Sequence, residues 1–162
     1  ILYNIPGRTG VNMDPETVAK LARVPNIIGI KEASGLVDQV QKIRDLVPKS
    51  FQIYSGDDQL TLDFLKAGAD GVVSVASHIA GKQIKEQIAL FLNGSLAEAA
   101  HMQTSLLPLF DVLFITTNPV PVKAALRMIG FNMGRPRLPL VDVTEDEHRQ
   151  IEQVLDRFLE TV

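Results

Sequence analysis

The chain has 162 residues, of which 46% are apolar and 22% charged, with a net charge of −3 and no cysteine. That composition fits a globular domain with a real core. It gives no electrostatic reason to expect a nucleic-acid partner, it excludes a disulfide framework and thiolate chemistry, and no apolar run approaches the ~18 residues of a membrane span.

The first apolar run, residues 1–5, reads as a strand. A domain rarely begins inside a strand, so the chain is expected to be a fragment. Asp14-Pro15-Glu16 opens a helix, with Asp as cap and Pro in the first turn. Residues 26–30 are a short run rich in β-branched residues, the pattern of a buried parallel strand. Val37, Val40, Ile43 and Val47 follow at helical spacing until Pro48 stops them. Residues 51–54 form a third strand. Asp58 is expected to cap the next helix, with Leu62 and Leu65 facing inward and Gly68 ending it. Residues 71–75 form the fourth strand. Strands alternating with helices imply β/α units and a parallel sheet.

Beyond residue 75 no strand is evident. Ile84, Ile88, Phe91 and Leu92 mark one helix closed by Gly94. Residues 96–113 are a second, which Pro108 is expected to bend, and 121–129 a third. Arg135-Pro136-Arg137-Leu138-Pro139 reads as a surface connector. Thr144 to Glu147 is a capping box, and Ile151, Val154, Leu155, Phe158, Leu159 and Val162 form one apolar stripe after it. The division expected is β/α units over 1–77 and helices over 78–162. Four parallel β/α units can make an open doubly wound sheet or half of an eight-fold barrel. Polar residues at several strand ends lean towards the barrel, whose active sites gather at the carboxyl face.

Lys31 stands at the carboxyl end of the second strand, with its stem in apolar surroundings. Desolvation there favours the neutral amine, which can attack a carbonyl and form a Schiff base. His78, His101 and His148 are scattered, with no metal-ligand spacing. No metal or cofactor is expected, and cytoplasm is the default location.

Four motifs occur in order: Tyr3-Asn4-Ile5-Pro6-Gly7-Arg8-Thr9-Gly10, Gly29-Ile30-Lys31-Glu32-Ala33-Ser34-Gly35, Ser55-Gly56-Asp57-Asp58 and Gly71-Val72-Val73-Ser74-Val75. With Asn118-Pro119-Val120-Pro121-Val122-Lys123 in the helical tail, they resemble the dihydrodipicolinate synthase family. The resemblance implies a (β/α)8 TIM barrel, here its second half followed by an all-helical carboxyl-terminal region. It implies a class I aldolase-type lyase of diaminopimelate and lysine biosynthesis. There a lysine condenses with pyruvate, and the resulting enamine attacks aspartate semialdehyde. By the resemblance Lys31 is the Schiff-base lysine, Tyr3 relays protons, and Arg8 holds a substrate carboxylate. Gly56 and Val73 would line the pyruvate pocket with backbone groups. Arg8 favours this family over N-acetylneuraminate lyases, the runner-up, which usually lack arginine there. A homotetramer is the usual assembly.

The family's first four β/α units have no counterpart in this reading. A threonine and a second tyrosine of the proton relay, and the site of lysine inhibition, would lie in them. The isolated chain is therefore expected to be inactive as a synthase. A non-catalytic half-barrel that serves as an association module is the alternative from outside enzymology.

Overall fold

The computed structural model describes residues 1–160. The chain divides into two compact units, Ile1–Ser74 and Val75–Val162.

The first unit is a four-stranded parallel sheet with helices between the strands. Its elements are β1 (Leu2–Asn4), α1 (Pro6–Thr9), α2 (Pro15–Leu21), β2 (Gly29–Glu32), α3 (Val37–Leu46), β3 (Gln52–Ser55), α4 (Thr61–Lys66) and β4 (Gly71–Val72). The strand order is β1-β2-β3-β4, all parallel. One face of the sheet is packed: Ile30 and Ile53 lie with Val18 of α2, Val40 and Ile43 of α3, and Phe64 of α4 in a single buried cluster. Successive strand residues face opposite ways. Tyr3, Lys31, Tyr54 and Val73 therefore share the other face, and none of the four is fully buried.

Asp14 caps α2 as expected, its carboxylate accepting from the Thr17 N–H at 2.7 Å. That bond holds the Asp14 carboxyl below its ordinary range. Arg44 fastens the end of α3 to the start of β3, donating to the carbonyls of Pro48 (2.9 Å) and Phe51 (2.7 Å). Gly68, at φ +94°, lies against the Arg44 stem. A side chain there would meet both an unfavourable backbone region and that stem.

Several expectations need correction. The second strand runs over Gly29–Glu32, not 26–30, because Lys31 and Glu32 pair with β1 on one side and β3 on the other. Lys31 is thus inside the strand and not at the start of a loop. β4 has only two residues, Gly71 and Val72, paired with Tyr54 and Ser55 of β3, and not the 71–75 expected. Asp58 does not cap the third long helix. It is buried, and Asp57 instead accepts from the N–H groups of Gln59 (2.9 Å) and Leu60 (3.3 Å) ahead of α4. The single turn of α1 is too short to show any periodicity in sequence.

The second unit is helical: α5 (Ser77–Leu92), α6 (Leu96–Val112), α7 (Val120–Met128) and α8 (Glu145–Glu160). Ala80, Ile84, Leu106, Leu109, Phe110, Ala125, Ile151 and Leu155 are buried within it. α6 continues through Pro108 without a break. Thr144 and Glu147 cap α8 reciprocally: the Thr144 N–H donates to the Glu147 carboxylate (2.7 Å), and the Glu147 N–H donates to the Thr144 hydroxyl (3.3 Å). The predicted apolar faces are narrower than expected. Leu92 and Leu159 are exposed, and Val162 lies outside the described residues. The proline-rich connector is held by charge. Arg127 pairs with Asp142 at 2.5 Å and donates to the Gly134 carbonyl at 2.8 Å, and Arg135 stands 3.8 Å from Asp142.

Candidate active site

The first unit gathers its polar side chains at the carboxyl ends of its strands. β1 and β2 are in register so that Tyr3 stands beside Lys31, and β3 adds Tyr54 on the far side of Lys31. The Lys31 ammonium lies 4.3 Å from the centre of the Tyr3 ring, within the range where a cation and an aromatic face attract. Lys31 is only partly shielded, and Tyr3 is 48% exposed.

Gly56 makes room for Lys31. A Cβ at position 56 would lie 2.9 Å from the Lys31 Cε and 2.7 Å from the Ala33 Cβ. Its N–H donates to the Glu32 carbonyl at 2.7 Å, and the Val73 N–H donates to the Ser55 carbonyl at 2.8 Å. Both N–H groups are thus engaged within the sheet. Arg8 belongs to α1, the turn after β1. It is exposed in the last turn of α1, and no hydrogen bond or ion pair among the described residues ties its guanidinium to Lys31 or Tyr3.

A lysine amine on an open sheet face, with a phenol beside it and a glycine clearing its stem, is suited to attack on a carbonyl carbon. The comparisons with known proteins identify the family. The model of the dihydrodipicolinate synthetase family matches residues 1–158. The chain belongs to this family. The 4-hydroxy-tetrahydrodipicolinate synthase of Desulforudis audaxviator is 54% identical over 96% of the chain and 53% of its own length. A dihydrodipicolinate synthase from Cyanidioschyzon merolae, solved with lysine bound, superposes with a TM-score of 0.93 at 47% identity, over 96% of this chain and 53% of that one. The synthase of Methylacidiphilum fumariolicum superposes with a TM-score of 0.94 at 45% identity, over 99% and 54%. The chain therefore spans about half the length of the relatives it matches.

On the packed face of the sheet lies a group that motif reading passed over. Glu32 is fully buried, as is Asn4 beside it on β1. The Glu32 carboxylate accepts from Asn4 Nδ2 (3.1 and 3.0 Å), from the Ser34 N–H (2.7 Å) and from Gln39 Nε2 (3.1 Å). Asn12 completes the cluster. It accepts from Asn4 Nδ2 at 2.8 Å and donates to Gln39 Oε1 at 2.8 Å. A buried carboxylate is tolerable only when its lone pairs are filled, and here N–H donors fill them. The signal was present in the sequence. Asn4 and Glu32 are polar at strand positions of the same parity as Leu2 and Ile30, where a helix-covered face calls for apolar residues.

Among the described residues, no group of three or more His, Cys, Asp or Glu side chains could hold a metal ion. No helix among them is long and apolar enough to cross a membrane.

Proposed function

We propose that this chain supplies the Schiff-base half of a 4-hydroxy-tetrahydrodipicolinate synthase, a lyase that joins pyruvate to aspartate semialdehyde. The observation that carries the reading is the registered pair of Lys31 and Tyr3, 4.3 Å apart from ammonium to ring centre, with Gly56 clearing the lysine stem. The neutral Lys31 amine attacks the keto carbon of pyruvate. A C–N bond forms, the keto oxygen leaves as water after two proton transfers, and an iminium remains. Loss of a methyl proton converts it to the enamine, whose carbon attacks the aldehyde of the second substrate and forms a C–C bond. Tyr3 lies within reach to carry protons in these steps. A phenol has an ordinary pKa near ~10 and serves as both donor and acceptor.

The carbonyls of Gly56 and Val73 suit the positive charge that develops on the lysine nitrogen better than they suit a substrate carboxylate. Arg8 is the group fitted to a carboxylate, because its guanidinium offers a planar fork of donors. Its exposed place on α1 is compatible with meeting the second substrate at the mouth of the site.

The chain is read as the carboxyl-terminal half of a (β/α)8 barrel. Four β/α units are followed by helices, with no fifth strand among the described residues. A first half would run from its fourth strand into another β/α unit. The names of the relatives favour the synthase over an N-acetylneuraminate lyase. A cytoplasmic location and a homotetrameric whole enzyme belong to the same reading. The association-module reading rests on a different observation, the two outer strands β1 and β4, each with one neighbour.

Borohydride reduction in the presence of labelled pyruvate tests the proposal. Covalent label is expected on Lys31 and is expected to be lost in Lys31→Ala, tested both in this chain and in a full-length synthase that contains it. Label of normal yield on the Ala variant removes Lys31 from the mechanism.

A further inference from the structure

The cluster under the site has a direction. The Met13 N–H, a backbone donor that cannot be reversed, gives to Asn4 Oδ1 at 3.0 Å. That fixes Asn4 Nδ2 as the donor to Asn12 Oδ1 and to Glu32. With its oxygen so occupied, Asn12 gives its own amide N–H to Gln39 Oε1. Gln39 Nε2 in turn gives to Asn12 Oδ1 (3.2 Å) and to Glu32. The Ser34 N–H, a second fixed donor, also ends on Glu32. Glu32 is thus the terminus of the cluster, and an ionised carboxylate is the side chain that only accepts. A glutamine there would set an N–H₂ against a donor, and turning over Asn4 to relieve it would set Asn4 Nδ2 against the Met13 N–H.

The cluster also has a place. Asn4 and Glu32 form the rung of the β1–β2 ladder that follows Tyr3 and Lys31. β1 has three residues and pairs only with β2, so few backbone bonds hold it in register. We propose that Glu32 is a positioning residue. Its buried carboxylate locks the rung next to Tyr3 and Lys31, and so sets where the lysine nitrogen and the phenol stand. The same carboxylate also orders the loop after β2 through Ser34 and the approach to α2 through Asn4 and Met13. This assignment rests on the reading of Lys31 as the Schiff-base lysine.

The test uses the full 162-residue chain and three variants. Glu32→Gln keeps the shape but replaces one acceptor oxygen with an N–H₂ donor. Asn4→Asp with Glu32→Gln moves the carboxylate across the rung, where it accepts from the Met13 N–H and from the amide introduced on β2; the Asn12–Gln39 pair turns over to match, giving up only the long 3.4 Å bond from Gln39 Nε2 to the Met13 carbonyl. Glu32→Asp keeps an acceptor but shortens its reach. Two rates are measured and normalised to the folded fraction from circular dichroism: trapping of pyruvate on Lys31 by cyanoborohydride, and acetylation of Lys31 by acetic anhydride relative to the exposed Lys49.

Misplacement of a reacting group by ~1 Å can cost up to ~10²-fold in rate, so trapping is expected to fall ~10-fold in Glu32→Gln. The double variant is expected to recover most of that loss, and Glu32→Asp to fall between. The Lys31 to Lys49 acetylation ratio is expected to change in Glu32→Gln and to return in the double variant. A residue that serves only general stability would lower the melting temperature without moving either normalised rate. Unchanged rates in Glu32→Gln, or a double variant no better than the single one, overturn the assignment. If Glu32→Gln does not fold, Glu32→Asp with wild-type rates overturns it equally. If neither the wild-type chain nor a full-length synthase that contains it traps pyruvate, the Schiff-base reading fails, while the acetylation ratio, which needs no pyruvate, still decides whether Glu32 positions Lys31.

Discussion

At the scale of single residues, the site depends on a side chain that is not there. Gly56 has no positive φ to explain it, only the lack of space around its Cα. Gly56→Ala would push directly on the Lys31 stem, the Ala33 methyl and the Glu32 carbonyl. Overpacking of this kind typically costs ~1–3 kcal/mol, and here the flexible lysine is the neighbour that yields. The variant is expected to stay folded with a lower melting temperature and to lose covalent pyruvate trapping, as mass spectrometry would read. Trapping at the wild-type rate would mean that Gly56 serves the backbone alone. Arg8 makes a different prediction, because it is exposed and no hydrogen bond or ion pair among the described residues ties it to Lys31 or Tyr3. In a full-length synthase, Arg8→Ala is expected to weaken use of aspartate semialdehyde ten- to a hundredfold, the worth of a charge-assisted hydrogen bond of ~1.5–3 kcal/mol. An analogue without the carboxylate should be little affected. Equal losses for both would assign Arg8 to structure.

At the scale of elements, caps and ties do most of the local work. Asp14 and Thr144 begin their helices as the motifs predict, because a cap is a contact within three residues and needs no tertiary context. The connector between α7 and α8 is different. Partial burial by itself pushes the Asp142 carboxyl up, but the Arg127 hydrogen bond, the Val143 N–H and the charges of Arg127 and Arg135 outweigh it and hold the group below its ordinary range. A carboxyl lowered in the folded state adds stability above its unfolded pKa and loses that contribution as the pH falls through the folded value. Asp142→Asn is therefore expected to melt earlier than the wild type at pH 7, by about 1 kcal/mol. That gap should close as the pH falls below the ordinary value of 3.8. Melting curves from pH 7 to pH 2 check it. A gap that stays constant over the range would show that the ion pair contributes nothing.

At the scale of the whole molecule, the first unit has one covered face and two outer strands. β1 and β4 each pair on one side only, and Tyr3 and Val73 are exposed on the uncovered face. Unpaired strand edges recruit other strands. The chain as given is expected to self-associate and to turn over little or no substrate, because about half the length of its relatives is not in it. Sedimentation at several concentrations, with a coupled synthase assay on the same sample, decides the matter. A monodisperse monomer with ordinary enzyme turnover would sink this expectation and with it the association-module alternative.

Much of the site was legible from sequence for a physical reason. A β/α unit is a local pattern, and its strand must end near the loop that carries polar residues, so Tyr3, Lys31 and Gly56 could be placed at one end of one sheet. The order of strands and helices, the caps of α2 and α8 and the helical second unit follow from periodicity and turn chemistry of the same short range. Strand limits do not, because a strand lasts as long as it has neighbours. Lys31 and Glu32 joined β2 through pairing on both sides, and β4 pairs over only two residues. Asp57 in place of Asp58 ahead of α4 was likewise settled by which carboxylate faces the turn. Above all, the tertiary structure decided the role of Glu32. Its partners Asn4, Asn12 and Gln39 come from β1, the loop before α2, and α3, and only folding sets their donors around one buried carboxylate.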